Sequence, residues 1–425
     1  MADLKNAIPA GADYELRTER TKSNTASFDG NKFERINSTD NMQQTIRVLH
    51  NGKISTAGGS KPGSAADLAA QAAAMAKYGS PHDVAFVGKT DIAAMNLVDN
   101  RKMSSKEMID LLGGLVEELR KLDPKIVVGA SLSSTIVETA MKTGSGFDAG
   151  YEKSFWGISA SVELMQGEDL LAIYESKRTL GPDFDLKKLI ADITEKLEHS
   201  RKVVPFEAGA YPVIFTPGEV IYICNPVLAS LNGTAVYRKV SPWSEKLGEQ
   251  LLDPRFSLID DATIDKDVGS KPFDLEGTPT QRLAIVENGA AKNLYLNRKV
   301  AQQLGKESTG NAGPMGPTTN YIQLAPGSKT AAELIKSIDK GLIIDGSMGA
   351  WSGNPYSGIV TGTISQGLKV EGGKIVGRVK DCMFTVNAFE HLKNHLVDLS
   401  SDRELIYGSA MLPHLMLNEV VISTK

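Results

Sequence analysis

Apolar and small residues in the first half of the chain are spaced as helices require in three segments. Ser64–Lys77 is rich in alanine and has no helix breaker, and a further helix is expected from Leu186 to about Ser200. Ser104 begins the remaining segment, and Glu107 follows it at the spacing of a capping box. Helical periodicity is clearest in this segment, at Met108, Leu111, Leu112, Leu115, Val116 and Leu119.

Strand patterns lie between these segments. Residues 13–50 alternate polar and apolar positions around an Asp-Gly pair, and the Asn51-Gly52 dipeptide that follows predicts a hairpin turn. Ile126–Ser131 is a short β-branched run that ends in small residues. Two more strands are expected between Phe155 and Lys177.

The second half of the chain is richer in glycine and proline and is typical of a mostly β structure. Glu287–Gly289 and Glu371–Gly373 have the composition of hairpin turns. Helices are expected from Thr330 to Lys340 and from Asn387 to Leu399. Strands with segregated helices predict the α+β class in both halves of the chain, not a doubly wound parallel sheet.

A domain boundary is predicted within Val203–Pro212, which contains three helix-breaking residues. The two predicted domains are residues 1–204, with strands and interleaved helices, and residues 205–425, which are β-rich. A chain of 425 residues has the length expected for two domains.

Composition restricts the possible partners. The 47 basic and 51 acidic residues give a net charge of −4, which argues against a nucleic-acid surface. No apolar run is long enough for a membrane helix, and the first residues lack the pattern of a signal peptide. Two cysteines exclude a disulfide framework and suit a reducing compartment, so a cytoplasmic location is expected.

The most specific motifs lie between Phe273 and Ala312. They are an acidic Gly-Pro turn with the sequence Phe-Asp-Leu-Glu-Gly-Thr-Pro, a short apolar strand at Asn293–Leu296, and the polar loop Ser308–Ala312. In this order they resemble the TldD/PmbA family, the "modulator of DNA gyrase" proteins that include zinc peptidases. Further matching pieces are Tyr211–Phe215, Lys246–Glu249, Asp260-Asp261, Thr319–Tyr321, Gly341–Ile344 and Asn354–Val360.

The resemblance also predicts which branch of the family this is. The peptidase branch carries a His-Glu-x-x-x-His helix, in which two histidines bind zinc and the glutamate activates water. The corresponding positions here are Cys224, Asn225 and Ala229, and Pro226 would end or kink the helix unless it lay in the first turn. The pattern is that of the TldE (PmbA) branch, so no catalytic residue and no metal ligand are expected in this chain.

Other candidate sites are weaker. His391 and His395 stand at i and i+4 on a predicted helix, a spacing that can hold a metal, but they border its apolar stripe. Gly305–Gly310 lacks the Lys-Ser/Thr of a phosphate loop, and the residues following Asp265 lack the glycine and ligand of a calcium loop. Cys224 and Cys382 are expected to be buried, unreactive thiols.

Glycine-rich polar loops provide the predicted substrate site. The resemblance places such loops in a cleft between paired subunits, where exposed backbone groups hold an extended peptide. Asn320, Tyr321, Trp351 and Asn354 are the predicted contact residues. The alternative is that the glycines only make tight turns.

The resemblance therefore implies a metal-free subunit that binds unfolded or ribosomally made peptides. It would act beside a TldD-like zinc peptidase, or with a second copy of itself, without nucleic acid or membrane. The alternatives are a peptide- or protein-binding homodimer without proteolysis, and an independent metallopeptidase that uses His391 and His395.

Overall fold

The structure, a computed structural model, describes residues 2–60, 65–167 and 169–424. Its first sheet is antiparallel throughout and has the strand order β4-β3-β2-β1-β5-β6-β7. Those strands are β1 (Asp13–Asp29), β2 (Lys32–His50), β3 (Lys53–Gly59), β4 (Ser80–Pro81), β5 (Val127–Thr143), β6 (Asp148–Gln166) and β7 (Asp169–Thr179).

Helices cover one face of this sheet. The helices of this part of the chain are α1 (Ala2–Asn6), α2 (Ala65–Met75), α3 (Ser105–Arg120) and α4 (Leu186–Ser200), and a 3-10 turn follows α2 at Ala76–Tyr78. Both members of the capping box at the start of α3 are present, and the Asp185 side chain caps α4. The apolar stripes of α3 and α4 pack together on β5, β6 and β7.

The second sheet is larger and mixed, and its path is β11-β10-β9-β14-β20-β18-β16-β15-β8. Two strands pair beside this path, β17 with β16 and β19 with β20. Its strands are β8 (Gly209–Phe215), β9 (Leu258–Asp261), β10 (Arg282–Glu287), β11 (Ala290–Ala291), β14 (Ile322–Leu324), β15 (Lys340–Met348), β16 (Ile359–Glu371), β17 (Lys374–Val379), β18 (Cys382–Asn387), β19 (Leu396–Ile406) and β20 (Ala410–Thr424).

Short elements complete this half of the molecule. A two-stranded ribbon is formed by β12 (Ala312–Gly313) and β13 (Gly316–Pro317), and a 3-10 turn lies at Pro355–Ser357. The helices are α5 (Pro217–Ser230), α6 (Gly233–Tyr237), α7 (Arg298–Gln303), α8 (Ala331–Lys336) and α9 (Ala388–Asn394). The inner face of α5 lies in the main core with residues from β8, β15, β16 and β20.

Ion pairs join the two halves. Lys196 of α4 places its Nζ 2.6 Å from both Glu175 of β7 and Asp345 of β15. The two carboxylates raise the pKa of Lys196 despite its burial, so the bridging ammonium stays charged. Arg378 of β17 pairs with Asp169 of β7. Charges from both sheets thus meet at a shared, partly buried boundary.

The α+β class is confirmed. The predicted hairpins are present, with positive φ at Asn51-Gly52, Asn288-Gly289 and Gly372-Gly373. The helix predicted from Leu186 to about Ser200 is α4, with the same bounds. The helix predicted over Ser64–Lys77 is α2, which ends at Met75, and Ser64 lies outside the described residues.

Several predicted bounds are wrong. The Ile126–Ser131 run is the start of the 17-residue β5, and the strands expected between Phe155 and Lys177 extend well beyond those limits. The helix expected from Thr330 to Lys340 ends at Lys336. The helix expected to reach Leu399 ends at Asn394, because Leu396 and Leu399 lie on β19 and pair with β20.

Candidate functional site

A buried carboxylate organises the loops that carry the family-like motifs. Asp260, at 1% exposure, accepts hydrogen bonds from the Nδ2 of Asn311 at 2.6 Å and from the backbone nitrogens of Asn320 at 2.9 Å and Tyr321 at 2.6 Å. Burial raises the pKa of Asp260, although these donors oppose the shift. The carboxylate therefore holds the loops around residues 311 and 320 against β9.

A second buried carboxylate joins the acidic turn to the same loops. Asp274 accepts hydrogen bonds from the backbone nitrogens of Ala312 at 2.7 Å and Thr278 at 3.0 Å. Thr309 in turn donates to the carbonyl of Leu296 at 3.2 Å. The motifs between Phe273 and Ala312 thus form one hydrogen-bonded unit.

Asn320 and Tyr321 make different contacts within the loop. The Nδ2 of Asn320 donates to the carbonyl of Gly310 at 2.9 Å, while its buried Oδ1 has no partner among the described residues. The phenol of Tyr321 donates to Asp267 at 3.2 Å, and its ring packs so closely on Gly269 that a Cβ there would lie 2.3 Å away. Tyr321 is 1% exposed, so its position suits a support for the loop.

Trp351 and Asn354 lie on a separate loop beside the first half of α5. Trp351 is 58% exposed, and its ring centroid lies 6.0 Å from that of Tyr222 on α5. Burial and the neighbouring Tyr407 raise the pKa of the Tyr222 phenol. Asn354 caps the 3-10 turn through a hydrogen bond from the nitrogen of Tyr356 at 3.1 Å. These side chains form an aromatic surface with a rigid polar turn next to it.

The four predicted contact residues form two groups that α5 connects. Tyr222 adjoins the Trp351 group, while Asn232, just after the helix, donates from Nδ2 to the carbonyl of Pro317 at 3.0 Å in the other group. The eight residues from Tyr222 to Ser230 rise by about 12 Å along the helix, and two more residues to Asn232 bring the separation of the groups to roughly 15 Å. That length matches roughly four to five residues of an extended peptide.

The α5 positions equivalent to the zinc motif do not suit zinc. Cys224 is fully buried in the core, where burial raises its thiol pKa to about 12. Asn225 is exposed and Ala229 is half-buried. Pro226 lies inside the helix, beyond its first turn, and the helix continues through it to Ser230. Of the two expected effects, an end or a kink, the first is wrong. Across the described residues, no three His, Cys, Asp or Glu side chains are grouped as metal ligands.

The histidine pair is engaged in other contacts. His391 has Nδ1 2.9 Å from the carbonyl oxygen of Asn387 and Nε2 3.2 Å from that of Glu419. His395 follows the last residue of α9, so the two histidines do not share a helix as predicted. Their rings stand 5.2 Å apart, centroid to centroid. Each nitrogen of His391 thus faces a carbonyl oxygen instead of an open coordination site.

The acidic residues of the calcium-loop pattern and the two cysteines also form no site. Asp265 accepts hydrogen bonds from Asn96, and Glu276 accepts one from the backbone nitrogen of Arg298. Both cysteines are buried and lack a disulfide. The sequence reasoning did not single out Tyr222 or the role of Asp260 as a hydrogen-bond centre. The acidic pair Asp260-Asp261 could have indicated the hydrogen-bonding role of Asp260. Nothing in the sequence indicates that Tyr222 lies beside Trp351.

Comparison with known proteins identifies the family of this chain. The model of the PmbA/TldA metallopeptidase C-terminal domain matches residues 208–424, half of the chain. The chain belongs to the PmbA/TldD family. The model of the PmbA/TldA metallopeptidase domain 1 also matches, over residues 14–76.

Individual PmbA/TldD relatives match to different extents. The metalloprotease PmbA homolog of Haemophilus influenzae is 27% identical, with 97% of this chain and 93% of that protein covered. The metalloprotease TldD homolog of the same organism is 26% identical, over 68% of this chain and 63% of that protein. The crystal structure of TldE from Thermococcus kodakarensis has the same fold, with a TM-score of 0.91 at 21% identity, covering 99% of this chain and 98% of that one.

Proposed function

We propose that this chain is a TldE/PmbA-like, metal-free subunit of a two-protein peptidase system. In this proposal a TldD-like partner supplies zinc and catalysis, and this chain binds the peptide. The observation that carries the proposal is the set of side chains on α5: a core thiol at Cys224, an amide at Asn225 and a methyl group at Ala229. Neither an amide nor a methyl group can replace the glutamate and histidine that zinc hydrolysis requires.

The extent of similarity supports the choice of branch. The PmbA homolog matches along nearly the whole chain, whereas the TldD homolog matches about two thirds of it. The net charge of −4 argues against a nucleic-acid partner, and the two free, buried cysteines suit the reducing cytoplasm. Within the described ranges, no helix is both long and apolar enough to cross a membrane.

We assign the peptide site to the surface along α5. The Trp351–Tyr222 pair offers an apolar platform for one side chain of the peptide. The unpartnered Oδ1 of Asn320 can accept a hydrogen bond from a peptide N–H after a small opening of its loop. Asn354 fixes the turn beside the platform, and Tyr321 supports the Asn320 loop from beneath. Main-chain recognition of this kind suits unfolded peptides of varied sequence.

The metal and partner requirements can be tested together. The purified chain is expected to contain far less than one zinc per molecule and to leave an unstructured peptide intact. Cleavage is expected once a family member with the His-Glu-x-x-x-His sequence is added. One zinc per chain together with peptide cleavage by the chain alone, both lost in His391→Ala/His395→Ala, would instead establish an independent metallopeptidase.

Peptide binding is tested separately with Trp351→Ala. Trp351 is 58% exposed while Trp156 and Trp243 are at most 4% exposed, so a change in tryptophan fluorescence on adding peptide should come mainly from Trp351 and be lost in the variant. Loss of one stacked side chain is expected to weaken binding about fivefold to twentyfold, measured by peptide anisotropy. Tyr78→Ala is the matched control, because Tyr78 is an exposed aromatic residue on the 3-10 turn after α2. Equal affinity of the two variants would contradict the assigned site.

The same assays distinguish a second function. Retained peptide binding without cleavage beside any motif-bearing partner would identify a peptide-binding protein without a role in proteolysis. That result would leave the aromatic platform in place and remove only the peptidase role.

A further inference from the structure

The tight turn between β19 and β20 contains a tyrosine at an unusual position. Tyr407 and Gly408 have φ angles of 52° and 71°, and the nitrogen of Ser409 donates to the carbonyl of Ile406 at 3.1 Å. These φ angles are typical of a type I′ turn, in which asparagine, aspartate or glycine usually occupies the first central position. A bulky side chain is strained there, because its Cβ crowds the backbone at positive φ.

Other turns of this kind in the chain follow the usual preference. The φ angles are 50° and 69° at Asn51-Gly52, 49° and 78° at Asn288-Gly289, and 55° and 72° at Gly372-Gly373. Among the described non-glycine residues with positive φ, Tyr407 is the one aromatic residue. The turn itself therefore gives no reason for a tyrosine at this position.

The first half of the chain holds this turn in place. Nη1 of Arg178, on β7, donates to the carbonyl of Tyr407 at 3.2 Å, and the Arg178 guanidinium lies 4.9 Å from the centre of the Phe155 ring. Gly408 leaves room for the contact, because a Cβ there would lie 2.6 Å from the same nitrogen. Both sheets thus fix the position of Tyr407.

Tyr407 lies beside the aromatic pair of the candidate site. It is 72% exposed, and burial together with the phenol of Tyr407 raises the pKa of Tyr222. Tyr222 in turn contacts Trp351, which is 58% exposed. Three rings from α5, the Trp351 loop and the β19–β20 turn therefore meet on one surface, and two of them are mostly open to solvent.

We propose that Tyr407 determines specificity in the peptide site, where the three rings select an uncharged peptide side chain with a large apolar surface, such as leucine or phenylalanine. This role rests on the proposed peptide-binding function and adds a substrate class to it. A strained and exposed aromatic residue beside a binding surface is the pattern expected when contact with a ligand, and not folding, requires the residue.

The charges around the rings disfavour a basic side chain. Arg178 is exposed, and its contacts among the described residues are to a carbonyl and a ring, so its charge is not neutralised. Glu219, one turn before Tyr222 on α5, is 6% exposed and accepts from the nitrogen of Ser347 at 3.1 Å and from its Oγ at 2.5 Å. The basic group is therefore open to solvent, while the acidic group is buried and already paired.

An acidic side chain is disfavoured for a different reason. The faces of aromatic rings carry partial negative charge, so a carboxylate placed on them loses hydration and is repelled. Arg178 already donates to the carbonyl of Tyr407. An apolar side chain avoids both costs and buries its surface against the rings.

A peptide series tests the preference. The host is a fluorescein-labelled peptide of glycine, serine and threonine, with leucine, phenylalanine, alanine, lysine or glutamate at one central position. By anisotropy, the wild-type chain should bind the leucine and phenylalanine peptides at least about fivefold more tightly than the other three. Equal affinities, or tightest binding of the lysine or glutamate peptide, would overturn the proposal.

Tyr407→Asn tests the residue itself. The preference should fall to about twofold or less in this variant, whereas Tyr407→Phe should keep it because the ring remains. Asparagine is favoured at this φ, so Tyr407→Asn should also raise the melting temperature, by about 1–2 °C. Tyr78→Asn is the matched control, because Tyr78 is 73% exposed on the 3-10 turn after α2. A tyrosine with a purely structural role would not give a variant that is more stable and less selective.

The role of Tyr407 and the proposed function fail in different ways. If Trp351→Ala weakens binding of the leucine peptide and Tyr407→Asn changes neither affinity nor preference, the site stands and the role of Tyr407 is refuted. If the wild-type chain binds none of the five peptides, the proposed peptide-binding function itself fails.

The exclusion of basic side chains is tested with Arg178→Gln, which keeps a donor for the carbonyl of Tyr407. The preference for the leucine peptide over the lysine peptide should fall about threefold in this variant. Lys187→Gln removes the same charge from the exposed face of α4 and should leave the preference unchanged. Equal effects of the two substitutions would show that net charge, and not Arg178, disfavours the lysine peptide.

Discussion

The amide Nδ2 of Asn311 lies 2.6 Å from Oδ2 of Asp260, and both side chains are almost fully buried. Because the same carboxylate also accepts from two backbone nitrogens, removing its charge leaves several buried donors poorly paired. Asp260→Asn is expected to lower the free energy of unfolding by about 2–4 kcal/mol, measured by urea denaturation. Asp91→Asn, at an exposed position, serves as the control. A loss below about 0.5 kcal/mol would show that the loops do not depend on this carboxylate.

The cap of α3 gives a prediction for the first half of the chain. Ser104 accepts from the nitrogen of Glu107, and the Glu107 carboxylate accepts from the nitrogen of Ser104. Ser104→Ala should cost about 1 kcal/mol of stability. Ser105→Ala, one residue into the same helix and exposed, should cost nearly nothing. Thermal unfolding of the two variants compares them directly, and equal melting temperatures would contradict the cap's contribution.

Lys153 predicts a dependence of stability on alkaline pH. Its Nζ donates to the carbonyl of Ser270 at 2.9 Å, and burial lowers its pKa to about 8. The unfolded chain keeps a lysine pKa of about 10.4. Below pH 8 both states are charged, so the folded state carries the full cost of the buried ammonium.

As the pH rises from 8 to about 10.4, the folded protein loses this proton first and the cost is relieved. Wild type should therefore gain up to about 3 kcal/mol relative to Lys153→Met over this range. Urea unfolding of both proteins at several pH values measures the difference. A constant difference between the two would show that Lys153 keeps an ordinary pKa.

The two thiols should not react with thiol reagents in the native protein. Cys224 and Cys382 are each at most 1% exposed, and burial raises both thiol pKa values, that of Cys224 to about 12. A thiol reagent at pH 8 should label almost no cysteine in the folded chain and both in denaturant. Rapid labelling of the native protein would reopen the question of a metal-binding thiol on α5.

Local signals made much of the fold predictable. The cap at Ser104, the Asn-Gly turns and the apolar stripe of α3 each depend on neighbouring residues, and each was found where expected. Leu396 and Leu399 were misassigned because their spacing suits a helix, while pairing with β20 across a sheet decides the matter. The periodicity of a short segment cannot predict its pairing with a strand elsewhere in the chain.

The candidate site was predictable only in part. Trp351 and Asn354 were identified from a polar glycine-rich loop, and they do lie on one exposed loop. The position of α5 in the fold decides that they lie apart from Asn320 and that the Tyr222 ring lies beside Trp351. Pro226 is a local signal that tertiary packing overrides, since a residue that breaks isolated helices is tolerated inside a packed one.

The position of β20 has a consequence for how the protein is made. This strand, Ala410–Thr424, follows every other described strand of the second sheet along the chain, yet it pairs with β8, β14, β18 and β19 in the middle of that sheet. The earlier strands must wait without their central neighbour until β20 has been synthesised. Non-local pairing of this kind folds slowly and leaves strand edges open in the meantime. The first sheet needs nothing beyond Thr179 for its own pairings and can assemble while the second half is still being translated.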